Sequence, residues 1–276
     1  MIKTLGNNIV SAFTGGNPVK AIYAYGQLVW PISGPEPTEY YIKWTPSSAE
    51  GQFNIDGTTY DLSTFSGLYY WSTGIINSRA FEYNNSIQSI ETNATRIGDW
   101  AFHICSLTQV SLPMCGYIGN GAFSDCRSLS KISLPMCSYI DNGAFFNCRS
   151  LSQISLPMCS YIDLNAFNGC TSLIQISLPA CSNIEYQAFA FCGLSQISLP
   201  MCGYIGAGAF RYCSSLNSIT IGYSSVCSLG DSNTFSYTQI TSSTGRIYVP
   251  ASLVSAYKSA SNWSQFSAII QSYPGL

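Results

Sequence analysis

The chain has 276 residues, of which 46% are hydrophobic and only 9% are charged, and its formal net charge is −2. It is long enough to bury a substantial core, but this charge excludes the basic patches that bind nucleic acid or an anionic membrane surface. No stretch approaches the roughly 20 apolar residues of a membrane-spanning helix, and we predict no secretory signal because the N-terminus lacks an unbroken apolar run.

Residues 1–32 are predicted to form a small module of three short strands joined by glycine turns. About 30 residues cannot hold a core alone, so we expect this module to fold against a partner or a second copy. Its candidate assembly residues are Tyr23, Tyr25 and Trp30. The segment VKAIYAYGQLVW, residues 19–30, resembles a short module that opens many tail and virion proteins of gut phages.

Residues 33–37, SGPEP, form a proline and glycine linker. We therefore interpret residues 1–37 as an attachment or oligomerisation module with its linker. Residues 38–75 contain the strand-like runs YYIKW, GQFNI and TTYDL. Asp56-Gly57 between two such runs predicts a hairpin, and the segment is interpreted as an N-terminal β cap that covers the edge of the first coil.

Residues 76–240 repeat with a period of 21 or 22 residues. The unit AFSDCRSLSKISLPMCSYIDNG, residues 122–143, recurs three more times in closely similar form. A period of 20–29 with Leu, Ile and Cys at fixed places is typical of a leucine-rich repeat. The repeated marker residues are Phe81, Phe102, Phe123, Phe145, Phe167, Phe189 and Phe210, with a degenerate eighth at Phe235.

Each unit predicts one short strand followed by a turn. Apolar residues alternate with the period of a strand over residues 132–134, and Pro135 ends that strand because proline cannot donate a ladder hydrogen bond. Cys137 and Ile140 are expected to point inward, and the Ala-Phe pair that follows begins a 3₁₀ or single helical turn. Stacked units of this kind give a quasi-one-dimensional solenoid of about seven coils.

The repeat resembles the BspA-like leucine-rich repeats of bacterial and phage surface proteins, a family whose resemblance implies adhesion or binding and not catalysis. Residues 241–276 are similar to the strand-proline-helix ending of such proteins, with a strand over 246–250 and a helix over 251–261. The predicted fold is therefore mainly β with short helical turns. It is a leucine-rich-repeat solenoid with a β cap before it and a strand-helix cap after it.

Twelve cysteines raise the alternatives of disulfides or a metal site. From Cys115 to Cys192 they recur every 11 residues at core-facing positions, which favours two ladders of small buried side chains. A zinc site needs four ligands at short spacings, and His103 is the single histidine. We therefore predict no metal and no cofactor. His103 is expected in an exposed turn, without a catalytic triad or carboxylate pair around it, so no enzymatic activity is predicted.

Three columns of side chains are predicted to face solvent. Two form a polar, almost uncharged sheet face of Ser and Gln, and the third combines Tyr with Met, which are enriched at interfaces. Packing of identical residues on one another is the alternative for these columns. The candidate binding residues are Ser133, Ser155, Ser177, Gln153, Gln175, Tyr117, Tyr139, Tyr161 and Tyr204.

The sequence thus predicts a non-enzymatic protein that presents a surface to a partner. The opening module, the linker and the missing signal favour a phage virion component of the tail or head fibre. Such a component would contact other virion subunits through residues 1–32 and a host surface protein or glycan through the solenoid. The alternative is a bacterial surface or secreted BspA-like adhesin. Nucleic acid and membrane insertion are not expected, and a homo-oligomer is left open.

Overall fold

The computed structural model describes residues 74–85, 87–242 and 244–273 in full and, ahead of them, only the backbone of short strands. Residues 1–32 contain three antiparallel strand pairs instead of the three strands predicted. Antiparallel strands can be joined by two residues, so this short segment has room for twice the expected number. The pairs are β1 (Lys3–Leu5) with β2 (Asn8–Ser11), β3 (Phe13–Thr14) with β4 (Asn17–Pro18), and β5 (Ile22–Ala24) with β6 (Gln27–Trp30).

Four longer strands precede the solenoid: β7 (Tyr40–Pro46), β8 (Gln52–Ile55), β9 (Thr58–Asp61) and β10 (Gly67–Trp71). β8 pairs with β9 in antiparallel register, with Ile55 opposite Thr58, which confirms the hairpin predicted at Asp56-Gly57. β7 lies between β10 and the first long strand of the solenoid and is antiparallel to both. The first coil is thereby paired along its outer edge.

Each coil of the solenoid contributes two parallel strands. The longer ones form what we call the long-strand sheet. Its strands are hydrogen-bonded to one another within three groups that follow each other along the solenoid. Their register aligns equivalent residues, for example Gln153 with Gln175 and Ser155 with Ser177. These strands are β12 (Ile87–Thr92), β14 (Gln109–Ser111), β16 (Lys131–Ser133), β18 (Gln153–Ser155), β20 (Gln175–Ser177), β22 (Gln196–Leu199), β24 (Ser218–Ile221), β26 (Arg246–Val249) and β27 (Ile270–Ser272).

The second set of strands, two residues each, forms an eight-stranded parallel sheet that we call the short-strand sheet. The sequence pattern predicted the inward direction of Ile140 but not this sheet. Its strands are β11 (Ile75–Ile76), β13 (Arg96–Ile97), β15 (Tyr117–Ile118), β17 (Tyr139–Ile140), β19 (Tyr161–Ile162), β21 (Asn183–Ile184), β23 (Tyr204–Ile205) and β25 (Ser228–Leu229).

The third side of each coil is a run of hydrogen-bonded turns, where the sequence predicted a 3₁₀ or single helical turn. The N–H groups of Ala144 and Phe146 bond to carbonyls three residues earlier, at 3.1 and 2.9 Å. The alternate N–H groups of Gly143, Phe145 and Asn147 donate to the next coil at 2.7–2.8 Å. A helix would keep all of these donors within one coil, whereas the alternation ties each coil to its neighbour.

The marker phenylalanines form one continuous stack through the core. Consecutive ring centroids are 4.9–5.8 Å apart and adjacent rings are within 9° of parallel. All eight rings, from Phe81 to Phe235, are fully buried. The solenoid predicted from the repeat is thereby confirmed, with neighbouring coils sharing a core that no single coil could enclose.

The twelve cysteines are all buried, as predicted, and none forms a disulfide. Their thiols donate to backbone carbonyls, such as Cys148 to Phe123 at 3.1 Å and Cys137 to Tyr139 at 3.3 Å. Burial raises the pKa of the Cys115 thiol to about 11 and that of Cys159 to about 12. These thiols are therefore neutral packing groups at physiological pH.

The C-terminal segment closes the solenoid with strand β26, a short helix and strand β27, a strand that the sequence analysis did not predict. The helix α1 (Val254–Ser259) is shorter than predicted because Ala260 is extended (φ −70°, ψ 150°). Trp263 is fully buried, and its indole Nε1 donates to the Cys227 carbonyl at 2.7 Å. The 3₁₀ turns are Gln239–Thr241, Ala251–Leu253 and Ser264–Phe266. Within the described residues, no helix has the length and apolarity needed to cross a membrane.

Candidate binding surfaces

The outward side chains of the long-strand sheet form a flat polar face. The candidate residues Ser133, Ser155, Ser177, Gln153 and Gln175 are all exposed on it, as the alternation predicted. The Ile between each Gln and Ser is buried. None of the five candidate side chains forms a hydrogen bond to another described residue, so their polar groups are free to bind a partner.

A second serine column shows the opposite behaviour. The hydroxyls of Ser138, Ser160 and Ser182 each donate to a backbone carbonyl of the preceding coil, at 3.0–3.2 Å. These serines therefore contribute to the cohesion between coils. The contrast separates serines that hold the fold from serines that face outward without a partner.

The tyrosine column is half-buried and not the fully exposed strip that the sequence predicted. The rings of Tyr117 and Tyr139 stack at 5.3 Å, and those of Tyr139 and Tyr161 at 4.9 Å. The Arg96 guanidinium lies over the free face of Tyr117, 3.9 Å from its centroid. Tyr204 is also half-buried, and Asn183 stands between it and Tyr161 in the strand order. The faces of the stacked rings are therefore already covered.

The hydroxyls of the same column are also satisfied. Tyr139 donates to Asp163 at 2.8 Å and Tyr161 to Glu185 at 2.7 Å, each one coil further on, and Tyr117 donates to Asp141. Burial, with the neighbouring carboxylate second, raises the pKa of Tyr117 to about 12. This geometry favours the packing alternative for Tyr117, Tyr139 and Tyr161.

If the column is structural, replacing Tyr139 and Tyr161 together by Phe should lower stability without altering partner binding. Each substitution removes one hydrogen bond to a half-exposed carboxylate, which costs about 1 kcal/mol, while the stacked rings stay. Urea unfolding should therefore show a loss of about 2 kcal/mol in the free energy of unfolding, seen as a lower midpoint with an unchanged slope. Unchanged stability combined with weakened binding would instead make the column a recognition strip.

A shallow depression of about 410 Å³ crosses the polar face near its N-terminal end. It is lined by residues of three neighbouring strands, including Glu91, Gln109, Lys131 and the candidate Ser133. The carboxylate and the ammonium group give this part of the polar face both signs of charge. Glu91 was not predicted as a site residue because its coil departs from the repeat and lacks the usual Pro and Cys.

A further column, which we call the turn column, lies two residues after each marker phenylalanine. All of its members have left-handed backbone, with φ between 53° and 80°. Asp, Asn and Gly adopt this conformation readily, but it costs bulkier residues roughly 1–2 kcal/mol each. The members are Tyr83, Ile104, Asp125, Asn147, Gly169, Phe191, Tyr212 and Tyr237. Three consecutive aromatic residues therefore occupy a costly conformation at the C-terminal end, and none of them was a candidate from the sequence.

His103 is half-buried, in contrast to the exposed position predicted for it. Its ring lies edge-on to Trp100 at 4.8 Å, and Nδ1 is 3.1 Å from the Ser124 carbonyl oxygen. These contacts come from neighbouring turns that the sequence alone did not place together. Among the described residues, no cluster of His, Cys, Asp and Glu could hold a metal ion. The side chains of Tyr23, Tyr25 and Trp30 lie outside the described residues.

The repeat matches a family profile described as the BspA type leucine rich repeat region, in six copies over residues 73–163 and 138–262. No curated protein matches the chain. A solved leucine-rich cell surface protein of Faecalibacterium prausnitzii is 29% identical, with a TM-score of 0.51 over 63% of this chain and 46% of that one. A leucine-rich repeat protein from Bacteroides ovatus is 21% identical, with a TM-score of 0.36 over 72% and 61%. The chain thus spans about half of the first relative and three fifths of the second.

Proposed function

The chain belongs to the BspA-type leucine-rich repeat family, and from this membership we propose that it is a non-catalytic binding protein whose long-strand sheet contacts a surface partner. The observation that carries the proposal is the row of outward Ser and Gln side chains without partners among the described residues. Water satisfies these groups in the free protein, and a complementary partner replaces that water with direct hydrogen bonds. Glu91 and Lys131 in the depression would meet opposite charges on the partner. Such complementarity fixes the orientation of the partner and the specificity of binding.

We propose display on a bacterial cell surface as the setting for this binding. The support is the Faecalibacterium prausnitzii relative, which is a cell surface protein, although this chain covers 46% of it. The virion hypothesis depends on the resemblance of residues 19–30 to phage modules, which falls outside the fully described residues. It stays a prediction, which proteomics of purified virions would test.

The binding proposal is tested by placing two arginines on the sheet face. Ser155→Arg with Ser177→Arg should block a partner sterically and by charge while leaving the buried Ile neighbours in place. We expect saturable binding of the labelled wild-type chain to intact epithelial or bacterial cells, measured by flow cytometry. The face variant should bind at least about tenfold more weakly, a loss of about 1.4 kcal/mol, with an unchanged melting temperature.

The matched control is Ser150→Arg with Ser172→Arg, two exposed serines of the same two coils that lie at the turn. This control should bind as the wild type does. If the face variant binds as well as the wild type, the long-strand sheet is not the contact surface. If the wild-type chain shows no saturable binding to either cell type, the proposed function is contradicted.

A further inference from the structure

We propose that the C-terminal end of the turn column, formed by Phe191, Tyr212 and Tyr237 together with Arg211, is a second binding site. Its ligand is a carboxylated sugar, that is, a pyranose ring that bears an acidic group. The site lies on the turn side of the coils and does not depend on the function proposed for the long-strand sheet.

The three aromatic rings form an exposed stack. Phe191 lies 4.5 Å from Tyr212 with a 13° angle between the rings, and Tyr212 lies 4.4 Å from Tyr237 at 5°. Phe191 is 46% exposed and Tyr237 is 62% exposed. The stack therefore presents aromatic surface to solvent at the end of the column, in contrast to the buried phenylalanine stack beside it.

The side-chain polar groups of this patch have no hydrogen-bond or ion-pair partner among the described residues. The Arg211 guanidinium carbon lies 4.9 Å from the Tyr212 ring centroid and 5.7 Å from that of Tyr237. No described carboxylate pairs with Arg211, and its Nε is buried without a hydrogen bond. The hydroxyls of Tyr212 and Tyr237 are likewise unbonded within this part of the chain. In the column of Tyr139, by contrast, each stacked hydroxyl reaches a carboxylate.

The nearby acid is already occupied. Asp231 Oδ1 accepts hydrogen bonds from the N–H groups of Gly208 and Asn233 and from the Thr234 hydroxyl, at 2.9–3.2 Å. It makes no ion pair with Arg211. An unpaired guanidinium beside two free hydroxyls is complementary to an anion, and its planar fork matches a carboxylate in two-point geometry.

The left-handed backbone conformation of the three aromatic residues is a further observation that favours a ligand-binding role. Phe191, Tyr212 and Tyr237 have φ values of 59°, 63° and 61°, a conformation they share with Tyr83 and Ile104, whereas three mid-solenoid coils carry Asp, Asn and Gly at this column position. Bulky residues persist in this conformation where the surrounding structure holds them, and such positions cluster at ligand-binding sites. The aromatic side chains are therefore retained at a position that opposes them.

The patch suits a sugar better than a peptide. An extended peptide needs a free strand edge or an apolar groove, but the N–H of Phe191 already donates to the Arg211 carbonyl and that of Tyr212 to the Ser236 carbonyl, at 3.0 and 2.9 Å. A pyranose combines an apolar C–H surface for the rings with hydroxyls for the tyrosines. A carboxylate on that ring would pair with Arg211.

Binding can be measured by isothermal titration with two acidic oligosaccharides, 3′-sialyllactose and trigalacturonic acid, and with neutral lactose. We expect at least one acidic sugar to bind about tenfold more tightly than lactose, and the comparison of the two separates a sialic acid from a uronic acid. Arg211→Gln should abolish this preference, and Arg211→Lys should retain part of it. Tyr237→Asn should weaken binding about tenfold without loss of stability, because Asn tolerates left-handed backbone.

The matched control is Tyr83→Asn, which changes a tyrosine of the same column that is 61% exposed and has φ 62°. Tyr83 stands near the ion pair of Arg79 with Glu82 and not near an unpaired arginine. The control should leave binding unchanged. Equal binding of lactose and both acidic sugars, an equal loss in Tyr83→Asn, or tighter binding of a hexaglutamate peptide than of either sugar would overturn the proposal.

Discussion

Raising the pH from 8 to about 10.5 in the presence of a reductant should unfold the solenoid. Burial raises the pKa of nine of its thiols above the ordinary value, and charge repulsion between neighbouring thiolates adds to this in several of them. The nine are Cys105, Cys115, Cys137, Cys148, Cys159, Cys181, Cys192, Cys213 and Cys227, the last with its hydrogen bond to Cys202 as the larger cause.

The direction follows from the higher pKa in the folded state. Below about pH 8.5, the ordinary thiol pKa, both states hold the thiol protons and stability is constant. Above it the unfolded chain ionises first, so stability falls until the pH passes the folded-state pKa, which is about 11 for Cys115. At pH 10 each unfolded thiol favours unfolding by about 1.4–2 kcal/mol. Nine thiols together contribute on the order of 10 kcal/mol, comparable to the whole stability of a typical domain.

Far-UV circular dichroism during a pH titration measures this transition, and urea unfolding at each pH gives the slope. Cys148→Ala with Cys192→Ala should reduce the dependence of unfolding free energy on pH by about 1.4 kcal/mol per pH unit for each thiol removed. A chain that stays folded at pH 11, or a double variant with an unchanged slope, would contradict the buried-thiol account.

The core could be predicted from the sequence because each inward position recurs in every coil. The spacing of Phe123 from Phe145 and of Cys137 from Cys159 specified the period, and any other register would place polar residues inside. The long strands were also predictable, since Ile154 is flanked by the polar Gln153 and Ser155. Repetition therefore gave several independent observations of one local structure, which is why the solenoid was predicted correctly.

Features that depend on contacts between coils were harder to predict. Tyr139 is flanked by Ser138 and Ile140, and the alternation indicated only that it points outward. Its half-buried position results from the stack with Tyr161 and the carboxylate of Asp163 one coil further on, neither of which is local in sequence. A signal existed for the aromatic turn column, because Phe191, like Tyr212, stands two residues after a marker phenylalanine. Variable residues in a turn do not reveal left-handed backbone unless they are glycine or asparagine.

Phe167→Ala should both destabilise the solenoid and divide it. Phe167 is fully buried between Phe145 at 5.1 Å and Phe189 at 5.2 Å. Removing a buried phenylalanine costs about 3–5 kcal/mol, and each lost aromatic pair adds roughly 0.5–1.5 kcal/mol. Because each coil contacts only its neighbours, a weak coil in the middle uncouples the two halves. Urea unfolding should therefore start at lower denaturant and separate into two steps.

The matched control for this substitution is Phe81→Ala at the N-terminal end of the stack. Phe81 is equally buried and is the first marker phenylalanine of the stack, with Phe102 as the next ring at 4.9 Å. Its removal should destabilise the chain but leave a single transition, because no further coils of the solenoid lie on its N-terminal side to be separated from the rest. The slope of the main transition reports the surface that unfolds as one unit, so it should fall for Phe167→Ala and stay near the wild-type value for Phe81→Ala. Unchanged slopes in both variants would mean that the rings act as independent core residues, and the cohesion of the solenoid would then have to come from the hydrogen bonds between its turns.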